Sequence, residues 1–139
     1  MAIKHKYTLL CDQIRIENNA KFIIIGLYTP DITVPMIPFT LPTLAFFVCL
    51  ESDGPSTWDI SFQLTHSGNV LAGGSGKVDV TRAGMVALPI NLGAVNFPAD
   101  GKYTFSLQIA GHPEPMLLNF AVVLNPMPPQ IVPTSEMTH

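Results

Sequence analysis

Residues 58–65 read WDISFQLT, and apolar and polar side chains alternate at every position of this stretch. Successive side chains of a β-strand point to opposite faces, so the alternation predicts a strand with one buried and one wet face. Residues 102–109, KYTFSLQI, repeat the pattern directly after the turn sequence Ala99-Asp100-Gly101. These two segments predict an antiparallel β protein.

The rest of the chain is divided into short pieces by thirteen prolines and ten glycines. Helical periodicity is nearly absent, and turn signals recur at roughly the spacing expected of a β-sandwich or barrel. The fold class predicted is all-β, an antiparallel β-sandwich of about eight strands with Greek-key-like connections. The predicted strands are residues 6–16, 21–28, 44–50, 58–65, 70–80, 85–92, 102–109 and 116–124.

Proline and glycine also predict local features. Residues 29–43 contain four prolines, which favours an extended crossing or edge that lies on the protein. Gly73, Gly74 and Gly76 predict a bulge or bend in their strand, and Pro89 favours an edge or a bulge. Residues 1–124 are expected to form the sandwich domain, and the proline-rich residues 125–139 an extended or disordered tail.

Composition excludes several functional classes. Charged residues are 12% of the chain, about half of the ~25% that is typical, and the net charge is −3. Seven basic residues argue against nucleic-acid binding, which needs clustered Lys and Arg. No stretch approaches the ~20 apolar residues of a membrane-spanning helix, and no secretory signal stands out. We expect a cytoplasmic protein in which Cys11 and Cys49 are buried free thiols.

Residues that could take part in catalysis or in ligand or metal binding do not form a recognisable site. The four histidines lack ligand spacing, and His66 and His112 lie in predicted turns, where a polar ring is simply solvated. The glycine-rich residues 73–77, GGSGK, lack the spacing of a phosphate loop. The acidic residues are scattered, without the close pairing of a calcium site. We therefore expect no catalytic residues, no cofactor and no metal, and a protein that is not an enzyme.

The opening hairpin, CDQIRIENNAKFIIIGLY at residues 11–28, resembles the start of a family of small uncharacterised bacterial and phage-associated β proteins. Its turn is expected at residues 17–20, where Asn tolerates left-handed backbone. The later segment FPADGKYTF, residues 97–105, also looks like that family. The likeness covers about a third of the chain, and it implies a sandwich without an assigned activity. The matching hairpin residues are Asp12, Arg15, Glu17, Lys21, Ile25, Gly26, Leu27 and Tyr28.

Two predicted strands are apolar on both faces: residues 22–28, FIIIGLY, and residues 44–50, LAFFVCL. A strand with a wet face should alternate, so something covers the second face of each. We expect a second copy of the chain or another protein partner to do so, in a non-enzymatic structural or interaction module. The candidate interface residues are Ile23, Ile25, Leu27, Ala45, Phe47 and Cys49.

Two alternatives stay open. The chain could cover that face itself, with residues 29–43 or with the proline-rich tail. Alternatively, the sandwich could bind a small ligand or a carbohydrate, which requires an exposed aromatic ring among Trp58, Tyr28 and Tyr103. Trp58 shares a predicted face with Ile60, which favours packing in the core.

Overall fold

The computed structural model describes residues 2–29 and 31–125, and over these residues the chain forms eleven β-strands and no helix. The predicted all-β class is therefore confirmed, while the predicted tail lies outside the described residues apart from Asn125. The strands are β1 Ile3–Ile16, β2 Phe22–Leu27, β3 Ile32–Val34, β4 Phe39–Leu41, β5 Ala45–Ser52, β6 Ser56–His66, β7 Asn69–Val80, β8 Gly84–Asn91, β9 Val95–Phe97, β10 Gly101–Ile109 and β11 Met116–Leu124.

The strands form two main sheets and a small third one. Sheet A has the order β2-β1-β5-β8, sheet B the order β3-β11-β10-β6-β7, and sheet C pairs β4 with β9. The hairpin β6–β7 belongs to sheet B, although the strands before and after it, β5 and β8, are neighbours in sheet A. The chain thus crosses between the sheets, as in a sandwich with non-sequential connections.

The eight predicted strands are confirmed, and the three additional ones are β3, β4 and β9, each three residues long. Two of them lie in the proline-rich crossing, where proline leaves few residues able to pair. This crossing lies on the protein as predicted, since Ile32 and Val34 are buried. β3 pairs parallel to β11 at the edge of sheet B, so the purely antiparallel prediction needs one correction.

The core lies between sheets A and B, where the inward-facing side chains of both sheets meet. The ring of Phe46 on β5 stacks on that of Phe105 on β10, with centroids 3.8 Å apart. Tyr103, Phe105, Leu107 and Ile109 are all buried, as the alternation of residues 102–109 predicts. Trp58 is half-buried against this core, and its indole N–H donates to Ser56 Oγ at 2.6 Å.

The glycines of β7 correct one prediction. Pairing with β6 runs without a shift through Gly73, Gly74 and Gly76, and the irregularity lies beyond them, between Leu64 and Thr65 of β6. Because Leu64 pairs with Ala72 and Thr65 with Val70, the extra residue is Leu71, so β7 contains a bulge as predicted but at Leu71 and not at the glycines. Gly74 stands opposite Phe62, and a Cβ there would lie 2.8 Å from the ring, so the missing side chain makes room for an aromatic ring. Pro89 lies on β8 at an edge of sheet A, as expected.

Candidate functional site

The hairpin of β1 and β2 carries three of the six candidate interface residues. Its turn is closed by Glu17 N–H, which donates to the Lys21 carbonyl at 2.7 Å, and by Ala20 N–H, which donates to the Glu17 carbonyl at 3.0 Å. The residue with left-handed backbone is Ala20, at φ 61°, whereas the sequence pointed to asparagine. The last of the four turn residues, at position 20, needs left-handed backbone to close the hairpin, whichever residue type occupies it.

The two faces of this hairpin have different surroundings. Ile14, Phe22 and Ile24 pack onto the side of sheet A that faces away from sheet B. There they form a second hydrophobic cluster, which we call the outer cluster: buried Cys11, Ile14, Ala45, Phe47 and Cys49, with Leu9, Phe22, Ile24 and Ala87 packed against them. The hairpin therefore covers the second face of β5.

The structure separates the six candidate residues into two groups. Ala45, Phe47 and Cys49 of β5 are buried inside the outer cluster, so the chain itself covers them. The cover is the β1–β2 hairpin and not residues 29–43, whose Ile32 and Val34 pack into the core between the main sheets. The other three residues are exposed on β2: Ile23, Ile25 and Leu27 are 39%, 38% and 51% exposed.

These three residues form an apolar row, which we call the β2 row. Across the hairpin, Ile23 stands opposite Arg15 and Ile25 opposite Gln13. Opposite residues of an antiparallel pair share a face, so Ile23 and Ile25 are bordered by long polar side chains, whereas Leu27 stands opposite Cys11 of the outer cluster. Because β2 is an outer strand of sheet A, one side of its backbone has no partner strand among residues 2–29 and 31–125.

Tyr7 is an exposed apolar residue that the sequence interpretation missed. It is 45% exposed, and its ring centroid lies 6.4 Å from that of Phe47. Tyr7, Leu9 and Cys11 occupy alternate positions of β1, and Leu9 stands opposite Phe47 in the register. Extending this alternation back from Cys11 would have placed Tyr7 on the outer side of sheet A.

The base of the hairpin is held by a polar contact. The Tyr28 hydroxyl donates a short hydrogen bond to the Asp12 carboxylate, and Tyr28 N–H donates to the Leu10 carbonyl at 2.8 Å. Burial, and then the bond to Asp12, raise the pKa of Tyr28 well above its usual value near 10. Gly26 adopts φ +69°, and a Cβ there would collide with the Asp12 carboxylate. Tyr28, Asp12 and Gly26 thus depend on one another.

Cys11 and Cys49 are free and buried, as predicted. Cys11 stands opposite Ala45 and Cys49 opposite Tyr7, so the two thiols are four positions apart along neighbouring strands. This is roughly 13 Å, well beyond the reach of a disulfide. Burial is the main reason that the pKa of Cys11 is raised, which keeps it in its less reactive thiol form.

The titratable residues elsewhere are dispersed. Over the described ranges, no three His, Cys, Asp or Glu side chains come together in a way that could hold a metal ion. His66 is not simply solvated: it stacks on Tyr103 at 4.2 Å, and its Nδ1 lies 2.9 Å from the Lys102 carbonyl. His112 packs edge-on against Trp58 at 5.7 Å. Both histidines therefore support the packing of aromatic side chains.

Surface depressions lie both away from the β2 row and beside it, at Leu27. One, of about 570 Å³, follows the loop of residues 79–86. The other, of about 200 Å³, is apolar and is lined by Leu10, Leu27, Tyr28 and Leu118, among others. A helix of the length and apolar character that crossing a membrane requires is absent from residues 2–29 and 31–125.

Comparison with known proteins gives one positive result. Residues 6–122, from β1 into β11, match the model of a family described as "Family of unknown function (DUF6941)". The match spans both main sheets and both hydrophobic clusters. No curated protein matches the sequence.

Proposed function

Since the chain belongs to the DUF6941 family, whose function is unknown, we propose a function from the chemistry of its surface. The protein is a non-enzymatic structural or interaction module that self-associates through the β2 row. Its place of action is the bacterial cytoplasm, a proposal supported by two buried free thiols, which suit a reducing compartment.

The observation that carries this proposal is the exposure of three apolar residues on one short strand, although other large apolar side chains, among them Leu117 and Val123 of β11, are exposed as well. Ile23 and Ile25 are adjacent on one face and Leu27 follows on the same strand, whereas scattered single apolar residues need no explanation. Ile23 and Ile25 are alternate residues of β2, and Leu27 follows Gly26, whose φ of 69° interrupts the alternation. Burying the β2 row against another copy removes this apolar surface from water, which is the main favourable term in association.

The experiment compares oligomeric state between matched variants. We expect light scattering coupled to size-exclusion chromatography to show a mass that rises from monomer to dimer with micromolar concentration. Ile25→Lys places a charge in the row and should weaken association about tenfold or more. Leu117→Lys, at a leucine 57% exposed on sheet B, should leave association unchanged. A monomer at every micromolar concentration would contradict the proposal.

The alternative of a ligand-binding sandwich has less support. Tyr103 is buried, and Tyr28 and Trp58 are half-buried, so none of the three rings is a fully open stacking platform. The apolar cleft beside Tyr28, at about 200 Å³, is smaller than the ~300–1,000 Å³ of typical ligand pockets. The larger depression at residues 79–86 has no aromatic side chain in its lining. We therefore keep self-association as the proposed function.

A further inference from the structure

The pairing of β1 changes at Cys11. From Ile3 to Cys11, β1 pairs with β5, and the last pair joins Cys11 to Ala45, the residue at which β5 begins. Beyond Cys11, β1 pairs with β2 alone within the described chain. Residues 12–26, which we call the lid, therefore extend past the end of the β5 ladder as a two-stranded ribbon. A ribbon of two strands is marginally stable by itself, so contacts with the rest of the chain hold the lid in place.

The base of the lid has the features of a hinge. The ladder between β1 and β2 is interrupted there, because Asp12 and Gly26 stand between two regular pairs without forming one. Gly26 has left-handed backbone at φ 69°. The Tyr28 hydroxyl, outside the lid, donates a hydrogen bond to the Asp12 carboxylate and so fixes the base. Hinges are a few residues at the ends of regular elements that absorb changes of backbone angle, and Asp12 and Gly26 have this position.

Few apolar side chains attach the lid to the rest of the chain. Of residues 12–26, Ile14 alone is buried, and Phe22 and Ile24 are half-buried against the outer cluster. In contrast, residues 45–50 of β5 are all buried. A segment that buries little apolar surface opens at a lower free energy than the core of its protein. The lid is therefore the part of sheet A that should open first.

Asn91, at the end of β8, supplies a polar attachment. Its Oδ1 accepts a hydrogen bond from Ile14 N–H at 3.2 Å, and its Nδ2 donates to the Ile14 carbonyl at 3.4 Å. One side-chain amide thus pairs both main-chain groups of Ile14, as a neighbouring strand would do. Asn91 stands opposite Ala45 in the register of β5 and β8, so it takes over at the point where β5 begins. It connects the lid to the far edge strand of sheet A.

From these contacts we infer that the lid opens as one unit about Asp12 and Gly26, and that Asn91 is the positioning residue that holds it closed. Opening withdraws Ile14 and its half-buried neighbours from the outer cluster. Cys11, which has no exposed surface in the closed form, then becomes accessible to solvent. This conformational device goes beyond the proposed self-association and does not depend on it, because it concerns the side of the hairpin that faces the outer cluster.

Native-state hydrogen exchange on the wild-type protein tests whether the lid moves as a unit. Amides of residues 13–16 and 22–25 should share one opening equilibrium, at least tenfold more favourable than that of residues 8–10 across the hinge. Low urea concentrations should accelerate lid exchange only slightly, because local opening exposes less surface than global unfolding. If the lid amides exchange only with residues 8–10 and with the same urea dependence, the inference is overturned.

Asn91→Ala tests the contact that closes the lid. It should raise both lid exchange and the reaction of Cys11 with a thiol reagent about tenfold, the effect expected from losing a pair of modest hydrogen bonds. Mass spectrometry of peptides distinguishes Cys11 from Cys49. The matched control is Asn119→Ala on sheet B, which removes an acceptor for Thr104 Oγ1 and should leave the lid unchanged. Equal Cys11 rates in the two variants, or exchange in β10 accelerated as much as in the lid, would overturn the role of Asn91.

Discussion

The ring of Phe22 on β2 stands edge-on against the ring of Phe47 on β5, with centroids 5.3 Å apart and planes inclined by 69°. Edge-to-face geometry is a favourable arrangement for aromatic pairs. The contact attaches the β1–β2 hairpin to the outer side of sheet A. The outer cluster beneath it, with Cys11 and Cys49, is thereby shielded from water.

Removing this ring should open the outer cluster. Phe22→Ala is expected to lower the free energy of unfolding by about 1–3 kcal/mol, because a half-buried ring loses its contacts. It should also speed the reaction of Cys11 and Cys49 with a thiol reagent several-fold under native conditions. The matched control is Ile23→Ala, whose side chain points away from the cluster. Equal thiol rates in the two variants would show that the hairpin does not protect these cysteines.

The backbone of Gly26 should not tolerate a side chain. At φ +69°, and with the Asp12 carboxylate in the space of a Cβ, Gly26→Ala is expected to cost about 1–3 kcal/mol in the free energy of unfolding. Gly76→Ala in β7 is the control, since no atom lies within 4 Å of its Cβ position and its φ is ordinary. Urea unfolding of both variants measures the difference. Similar losses in the two would contradict the special role of Gly26.

A substitution at Ala20 in the hairpin turn should raise the stability of the protein. Ala20 has left-handed backbone at φ 61°, which costs a residue with a Cβ about 1–2 kcal/mol. Ala20→Gly removes that cost but makes the unfolded chain more flexible, so we expect a net gain of about 0.5–1 kcal/mol in the free energy of unfolding. Thermal unfolding should show a higher midpoint. Ser67→Gly should also raise the midpoint, because Ser67 is the second non-glycine residue with positive φ in the described part of the chain.

Tyr28 should make the protein sensitive to alkaline pH. Its pKa is raised in the folded state, by burial first and by Asp12 second, so the neutral phenol is favoured there. The resulting stability is complete below about pH 10, the pKa in the unfolded chain, and is lost as pH rises towards the folded value.

Tyr28→Phe removes this titration. The variant should be less stable than the wild type near neutral pH, by about 1–3 kcal/mol, because Asp12 loses its partner. Above about pH 10, however, its stability should fall less steeply with pH than that of the wild type. Urea midpoints across this range provide the test. Parallel curves for the two proteins would exclude Tyr28 as the source of alkaline sensitivity.

Much of the fold was predictable because alternation is a local property. Residues 102–109 alternate strictly, and β10 buries the four apolar side chains that this pattern places inward. β9 was missed because three residues, Val95–Phe97, are too few to show a period. The turn residue was misplaced at asparagine because several residues of a short turn can supply the left-handed position, and the hydrogen bonds of Glu17 select Ala20.

The candidate site was only partly predictable, for a physical reason. In β5, Phe46 and Phe47 are chemically identical neighbours, yet one packs against sheet B and the other beneath the hairpin. Nothing in these side chains shows whether their face of the strand is covered by the same chain or by a partner protein. The exposure of Ile23 and Ile25, and the burial of Phe47, follow from how the hairpin lies on the sheet.

The sequence by itself determined an all-β chain, the positions of its principal strands and the presence of more apolar strand surface than one core needs. These properties depend on residue type and spacing along the chain. Only the tertiary structure decided which apolar faces stay open, because covering a face needs residues that are distant in sequence to meet. Their meeting leaves Ile23, Ile25 and Leu27 of β2 exposed at the surface.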